Sequence, residues 1–114
     1  MNEPKRQLLF IALSTYLVPE EVILDHLVEH RAWTKKAFDD GVMLFTGRQD
    51  PPTGGVLCFR APDLDAAERF VAQDPFVTSG VAEISVTALT PTQLPWRSEA
   101  VQQFLDADEL IQQG

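Results

Sequence analysis

Residues 42–61 read "VMLFTGRQDPPTGGVLCFRA", two strand-like runs joined by a loop rich in Pro and Gly. That pattern predicts a β-hairpin, and a hairpin in mid-chain limits how the flanking segments can attach. Before it, "RQLLFIAL" is a continuous apolar run suited to a strand. Pro19, Glu20 and Glu21 then open a stretch of helical period lasting to Asp39 or Asp40, where Gly41 stands as a helix stop. After the hairpin, Pro62 and Asp63 open "DLDAAERFVAQ", with Leu64, Ala67, Phe70 and Val71 on one helical face. "AEISVTALT" follows, alternating Ile84, Val86 and Ala88 against Glu83, Ser85 and Thr87 as a half-buried strand does. The order β-α-β-β-α-β predicts an α+β, ferredoxin-like domain whose two helices cover one face of a four-stranded antiparallel sheet.

The other face of such a sheet also needs cover. Leu9 and Ile11 must point opposite to Leu8 and Phe10, and Met43 and Phe45 opposite to Val42 and Leu44. Apolar groups on both faces predict a homodimer closed through the sheets. At 114 residues and 45% hydrophobic content the chain suits one core. We expect one domain over residues 1–94 and a C-terminal extension over residues 95–114. In the extension Ser98 is a candidate cap for a short amphipathic helix with Val101, Phe104, Leu105 and Ile111 as its stripe, and a helix this short needs a surface to dock on.

Charge narrows the partners. Seventeen Asp and Glu against nine Lys and Arg give a formal charge of −8 with no basic stripe, so nucleic acid is not an expected partner. The apolar run Leu8 to Leu13 is far too short for a membrane span and short for a signal segment, so a soluble cytoplasmic protein is expected, with no membrane partner. The single cysteine, Cys58, sits in a strand-like run and reads as a small buried hydrophobe.

Two polar residues break the apolar pattern. At about 100° per residue, Ile23, Leu27, His30, Thr34 and Ala37 share one sector of the first helix, which puts His30 on its inner face. A buried, purely structural histidine remains an alternative reading. "AQDPFVTSG" places Asp74 at the C-terminal end of the second helix, where the helix dipole disfavours a carboxylate. Asp before Pro can simply begin a turn. The alternative is that Asp74 meets His30 where the two helices lie side by side. A carboxylate on one ring nitrogen fixes the tautomer and makes the other nitrogen a better base.

Other chemistry is thin. "HLVEH", His26 to His30, matches a short zinc-peptidase pattern, but it lacks a third ligand and the domain is small for a peptidase cleft, so no metal is expected. The chain contains neither a nucleophile elbow nor a phosphate-binding loop. "TGG", Thr53 to Gly55, is first of all a hairpin device.

With His30 in "EHRAW", Gly41 and Gly47 about the second strand, "PPTGGV" and "AQDPFVTSGVAE", the chain resembles the YCII-related (YciI-like) family from the first strand to about Leu94. The resemblance implies a dimeric α/β barrel of ferredoxin-like subunits, similar to muconolactone isomerase, with a His-Asp active site falling on His30 and Asp74. An activity known in that family is cofactor-free removal of chloride from a chlorinated hydroxyhydroquinone. The tail beyond Leu94 departs from the shorter members.

Three functions follow as expectations. The first is a cofactor-free lyase, isomerase or dehydrochlorinase acting on a small ring-bearing molecule, with His30 as acid and base, Asp74 orienting it, and Trp33, Phe45 and Phe76 contacting the ligand. The second is a binding module that holds the same small-molecule ligand without chemistry. The third is a structural dimeric domain in which the polar pair is a buried peg.

Overall fold

The first strand sets the architecture. In the computed structural model, which describes residues 7–93 and 99–106, β1 (Leu8–Tyr16) is central and pairs antiparallel with β3 (Gly55–Ala61) on one side and β4 (Ala82–Leu89) on the other. β2 (Met43–Arg48) completes the sheet as the outer neighbour of β3, giving the order β2-β3-β1-β4. This is the ferredoxin-like α+β fold that the element order predicts. Gly41, at φ 75°, supplies the left-handed residue that ends the first helical layer before β2.

The helices differ from expectation in two places. The single helix expected from Pro19 to Asp39 or Asp40 is two: α1 (Glu20–Leu24) and α2 (Leu27–Asp39), separated at Asp25 and His26. No Gly or Pro marks that break. The expected second helix is shorter, α3 (Leu64–Val71), and a further short helix, α4 (Pro75–Thr78), stands between it and β4. Leu64, placed with the core-facing residues by periodicity, is 47% exposed, whereas Ala67 and Val71 are buried.

Strand alternation puts Phe10, Ala12, Leu57 and Phe59 under the helices, where they meet Ala37, Ala67 and Val71 in one apolar cluster. Phe10 and Phe59 are fully buried and stacked at 5.8 Å, and Phe59, Phe70 and Trp33 continue the aromatic chain at 4.7 Å steps. Each large apolar side chain buried this way contributes roughly 1.5–3 kcal/mol.

A bulge in β2 corrects the expectation that Met43 and Phe45 share a face. Met43 pairs with Phe59 and is buried under the helices, but the register shifts after it and Phe45 pairs with Cys58 on the opposite face. The extra residue reverses the alternation. On that opposite face, α5 (Glu99–Leu105) lays Phe104 and Leu105 against Leu9 and Cys58, with Ile11 and Leu44 beside them. Burial pushes the Cys58 thiol up to about 11, so it stays protonated and unreactive at neutral pH. Ser98, the side chain of Val101, and Ile111 lie outside what is described. Among the described residues no helix is long and apolar enough to cross a membrane.

Candidate active site

Along β1 the helix-facing side changes chemistry. Phe10 and Ala12 belong to the dry core, but the next two residues on that face are Ser14 and Tyr16. α2 changes in the same direction, from Ala37 and Trp33 in or against the core to His30 near its start. The layer between sheet and helices therefore ends in a polar cavity.

At its centre His30 Nδ1 lies 2.8 Å from Asp74 Oδ1. Asp74 is 2% exposed, and the same oxygen accepts the Phe76 backbone N–H at 3.0 Å. An ionised carboxylate only accepts, so Nδ1 carries the hydrogen of this contact, and in the neutral form of the ring Nε2 holds the lone pair. Among the described residues Nε2 has no hydrogen-bond partner. The ring plane is fixed by Phe76, which stacks on it at 4.0 Å and 5°. Two constraints thus hold one imidazole: a hydrogen bond in its plane and an aromatic face against it.

Asp74 corrects the sequence reading of its surroundings. It lies two residues beyond the C-cap of α3 and is the N-cap of α4, with Pro75 in the first turn. A carboxylate at a helix start faces the positive end of the dipole, so the position is favourable where the sequence suggested the reverse.

Two cavities meet at His30. An inner one of about 100 Å³ is lined by Ser14, Thr46, Leu57 and Asp74, among others, and an outer one of about 240 Å³ by Ile23, Leu27, Arg31 and Arg48, among others. Tyr16, His30 and Phe76 line both. Of the five side chains the sequence singles out, His30, Asp74 and Phe76 come together. Trp33 lies one turn along α2, its ring 6.3 Å from that of His30, but it stacks on Phe70 and lines neither cavity. Phe45 is on the far face of the sheet, 48% exposed. His26 and Glu29 of "HLVEH" join no metal-binding cluster, and among the described residues none is found.

Ser14, Tyr16, Arg31 and Arg48 are lining residues that the sequence reading passes over. A signal for two of them exists: Ser14 and Tyr16 continue the buried face of β1 with hydroxyls. Burial pushes the Tyr16 phenol above its ordinary value; Arg48 opposes that rise, and the Asp74 and Glu20 carboxylates add to it. Tyr16 therefore keeps its proton at neutral pH and presents an O–H donor to the cavity.

The β2–β3 loop is fastened over the end of β1. Gln49 Nε2 donates to the Ser14 carbonyl at 2.8 Å, Gly55 N–H to Ser14 Oγ at 2.7 Å, and Tyr16 N–H to the Thr53 carbonyl at 2.8 Å. Gly54 makes this contact sterically feasible, because a Cβ there would lie 1.7 Å from the Ser14 carbonyl oxygen. The "TGG" segment is thus a wall of the site as well as a hairpin device.

The fold is thus a small ferredoxin-like α+β domain with a part-buried histidine–carboxylate pair at one end of the layer between sheet and helices. Residues 9–90 match the YCII-related domain, and the chain belongs to that family. Among solved structures, 5-chloro-2-hydroxyhydroquinone dehydrochlorinase from Burkholderia phenoliruptrix, in complex with 2,5-dihydroxybenzoquinone, is similar with a TM-score of 0.61 at 22% identity, covering 72% of this chain and 93% of that one. The cofactor-independent oxygenase SnoaB from Streptomyces nogalater has a TM-score of 0.49 at 14% identity, covering 81% of this chain and 99% of that one. No curated protein matches the chain.

Proposed function

We propose that this protein is a small enzyme that moves a proton on a ring-bearing small molecule without a cofactor. His30 is the acid and base, and Asp74 holds it in one tautomer. The contact that carries this reading is His30 Nδ1 to Asp74 Oδ1 at 2.8 Å, with the ring lining an inner cavity of about 100 Å³. In this scheme Nε2 takes a proton from a ring hydroxyl or ring carbon, and the buried Asp74 carboxylate stabilises the imidazolium that forms. The proton then returns to another atom of the same molecule, which is an isomerisation, or leaves together with an anionic leaving group, which is an elimination. Tyr16, held protonated, donates to oxygen where negative charge develops.

The ligand of the solved dehydrochlorinase, 2,5-dihydroxybenzoquinone, is an oxygenated six-membered ring, a size that suits the cavities here. We further infer that a second copy covers the far sheet face, where Leu13, Phe45 and Leu89 are each 42–48% exposed. Light scattering that shows a monomer at micromolar concentration would refute that assembly.

The test of the catalytic reading is turnover. Wild-type protein is incubated with chlorinated and unchlorinated hydroxyhydroquinones in deuterated buffer, and chloride release and ring deuteration are followed. We expect one or both, reduced about 10²-fold or more in His30→Gln and in Asp74→Asn with the fold retained. A wild-type protein that does neither, or variants as active as wild type, would sink the proposal.

A further inference from the structure

We propose that the outer cavity is an anion subsite, and that the substrate is a hydroxylated ring bearing a carboxylate, its hydroxyl end at His30 and its carboxylate at Arg31 and Arg48. This rests on the catalytic reading above and adds a substrate class to it.

The sign of charge differs between the two cavities. The inner one holds the buried Asp74 carboxylate, which repels an anionic group and favours hydrogen-bond donors such as ring hydroxyls. The outer one holds two guanidiniums, one from α2 beside His30 and one from the end of β2. Glu20 lines the outer cavity too, leaving one net positive charge there. In a chain of formal charge −8, arginines would be expected to find carboxylates. Arg31 and Arg48 do not: among the described residues neither closes an ion pair or a hydrogen bond through its side chain. The apolar walls from Ile23 and Leu27 leave these groups as the polar handles of a pocket otherwise suited to a ring. Guanidinium presents a planar fork of donors that matches a carboxylate, which a compact ammonium does not.

The geometry also orients such a ligand. Tyr16, His30 and Phe76 line both cavities, so one ring spanning the two meets His30 and Tyr16 at the boundary, with donors directed inward and the anion outward. Reversing it would set a carboxylate against Asp74.

Binding of hydroquinone and of 2,5-dihydroxybenzoate, which differ by one carboxylate, is compared by calorimetry and by the His30 ring resonances of the full chain. The carboxylate should bind at least about tenfold tighter, as a charge-assisted contact gives. That preference should shrink as salt rises, fall away in Arg31→Gln and Arg48→Gln, and be partly kept in Arg48→Lys. Both arginines are exposed, so these variants should fold as wild type does, which circular dichroism checks. Equal binding of the two probes with His30 perturbed overturns the anion subsite and leaves the catalytic reading standing. A preference that survives both glutamine variants overturns it likewise. If neither probe binds, both proposals fall.

Discussion

The layer between helices and sheet has two ends made by the same strands. At one end Phe10 and Phe59 are fully buried and stacked, under Ala67 and Val71. At the other the same face of β1 carries Ser14 and Tyr16, and α2 contributes His30. Backbone geometry is continuous from one to the other, so the difference lies in side-chain chemistry alone. The two halves of one layer thus differ in what they can supply: the dry end supplies burial, and the wet end keeps polar groups that a core built only for stability would replace.

The largest test of that division is Phe59→Ala. Removing a fully buried ring should cost about 3–5 kcal/mol of unfolding free energy by denaturant titration. A loss below about 1 kcal/mol would mean the dry end is not where stability resides. Gly54→Ala is next, and it acts at the wet end. Its Cβ would lie 1.7 Å from the Ser14 carbonyl oxygen, so the loop must move off β1, at about 1–3 kcal/mol and with altered His30 ring resonances. Unchanged resonances would show that the loop does not shape the site.

Two aspartates sharpen the comparison further. Asp63 is exposed and caps α3 by accepting the Ala66 N–H at 2.8 Å, and its side chain makes no other hydrogen bond or ion pair among the described residues. Asp63→Ala should cost about 1 kcal/mol and leave the His30 ring nitrogen signals where they are. Asp74→Asn should cost no more than that, because an amide oxygen still caps α4, yet it should alter the tautomer balance seen in the ring ¹⁵N spectrum. The reverse pattern would make Asp74 a cap like any other.

Tyr16→Phe should have the smallest effect near neutral pH, within about 0.5 kcal/mol, since the hydroxyl has no partner among the described residues. Its signature is at high pH. The folded phenol is raised above 10.0 by burial, so the unfolded phenol ionises first and wild-type stability falls as pH rises past 10. The raised Cys58 thiol adds a fall in the same direction to both proteins. The difference between wild type and Tyr16→Phe isolates the tyrosine, and parallel curves would mean that its burial is not felt.

Most of the fold is legible in the sequence because period and punctuation act locally. The hairpin, the outer strands and Gly41 follow from residues close in the chain. His30 and Asp74 stand out for a related reason: each breaks a local pattern, an imidazole in an apolar stripe and a carboxylate at a helix end. What escapes depends on contacts between distant segments. The bulge that sends Phe45 to the far face carries no Gly or Pro. The true setting of Asp74, at the start of α4, is hidden because a four-residue helix leaves no period to read. Arg31 and Arg48 look like ordinary surface charges until α2 and the end of β2 are brought together around one cavity.

One oxygen of Asp74 serves two donors, the imidazole of His30 and the first turn of α4. For a lineage that diversifies this scaffold, the two duties are inherited together. A mutation at position 74 that removes the capping oxygen also disturbs the segment that carries Phe76 onto the imidazole, so few replacements other than Asn leave that segment in place. Arg31 and Arg48 bear no comparable structural duty. On the proposed function, new specificities should therefore arise by changing the outer cavity around an unchanged pair, and descendants of one ancestor would share the His30–Asp74 contact while differing in the molecules they admit.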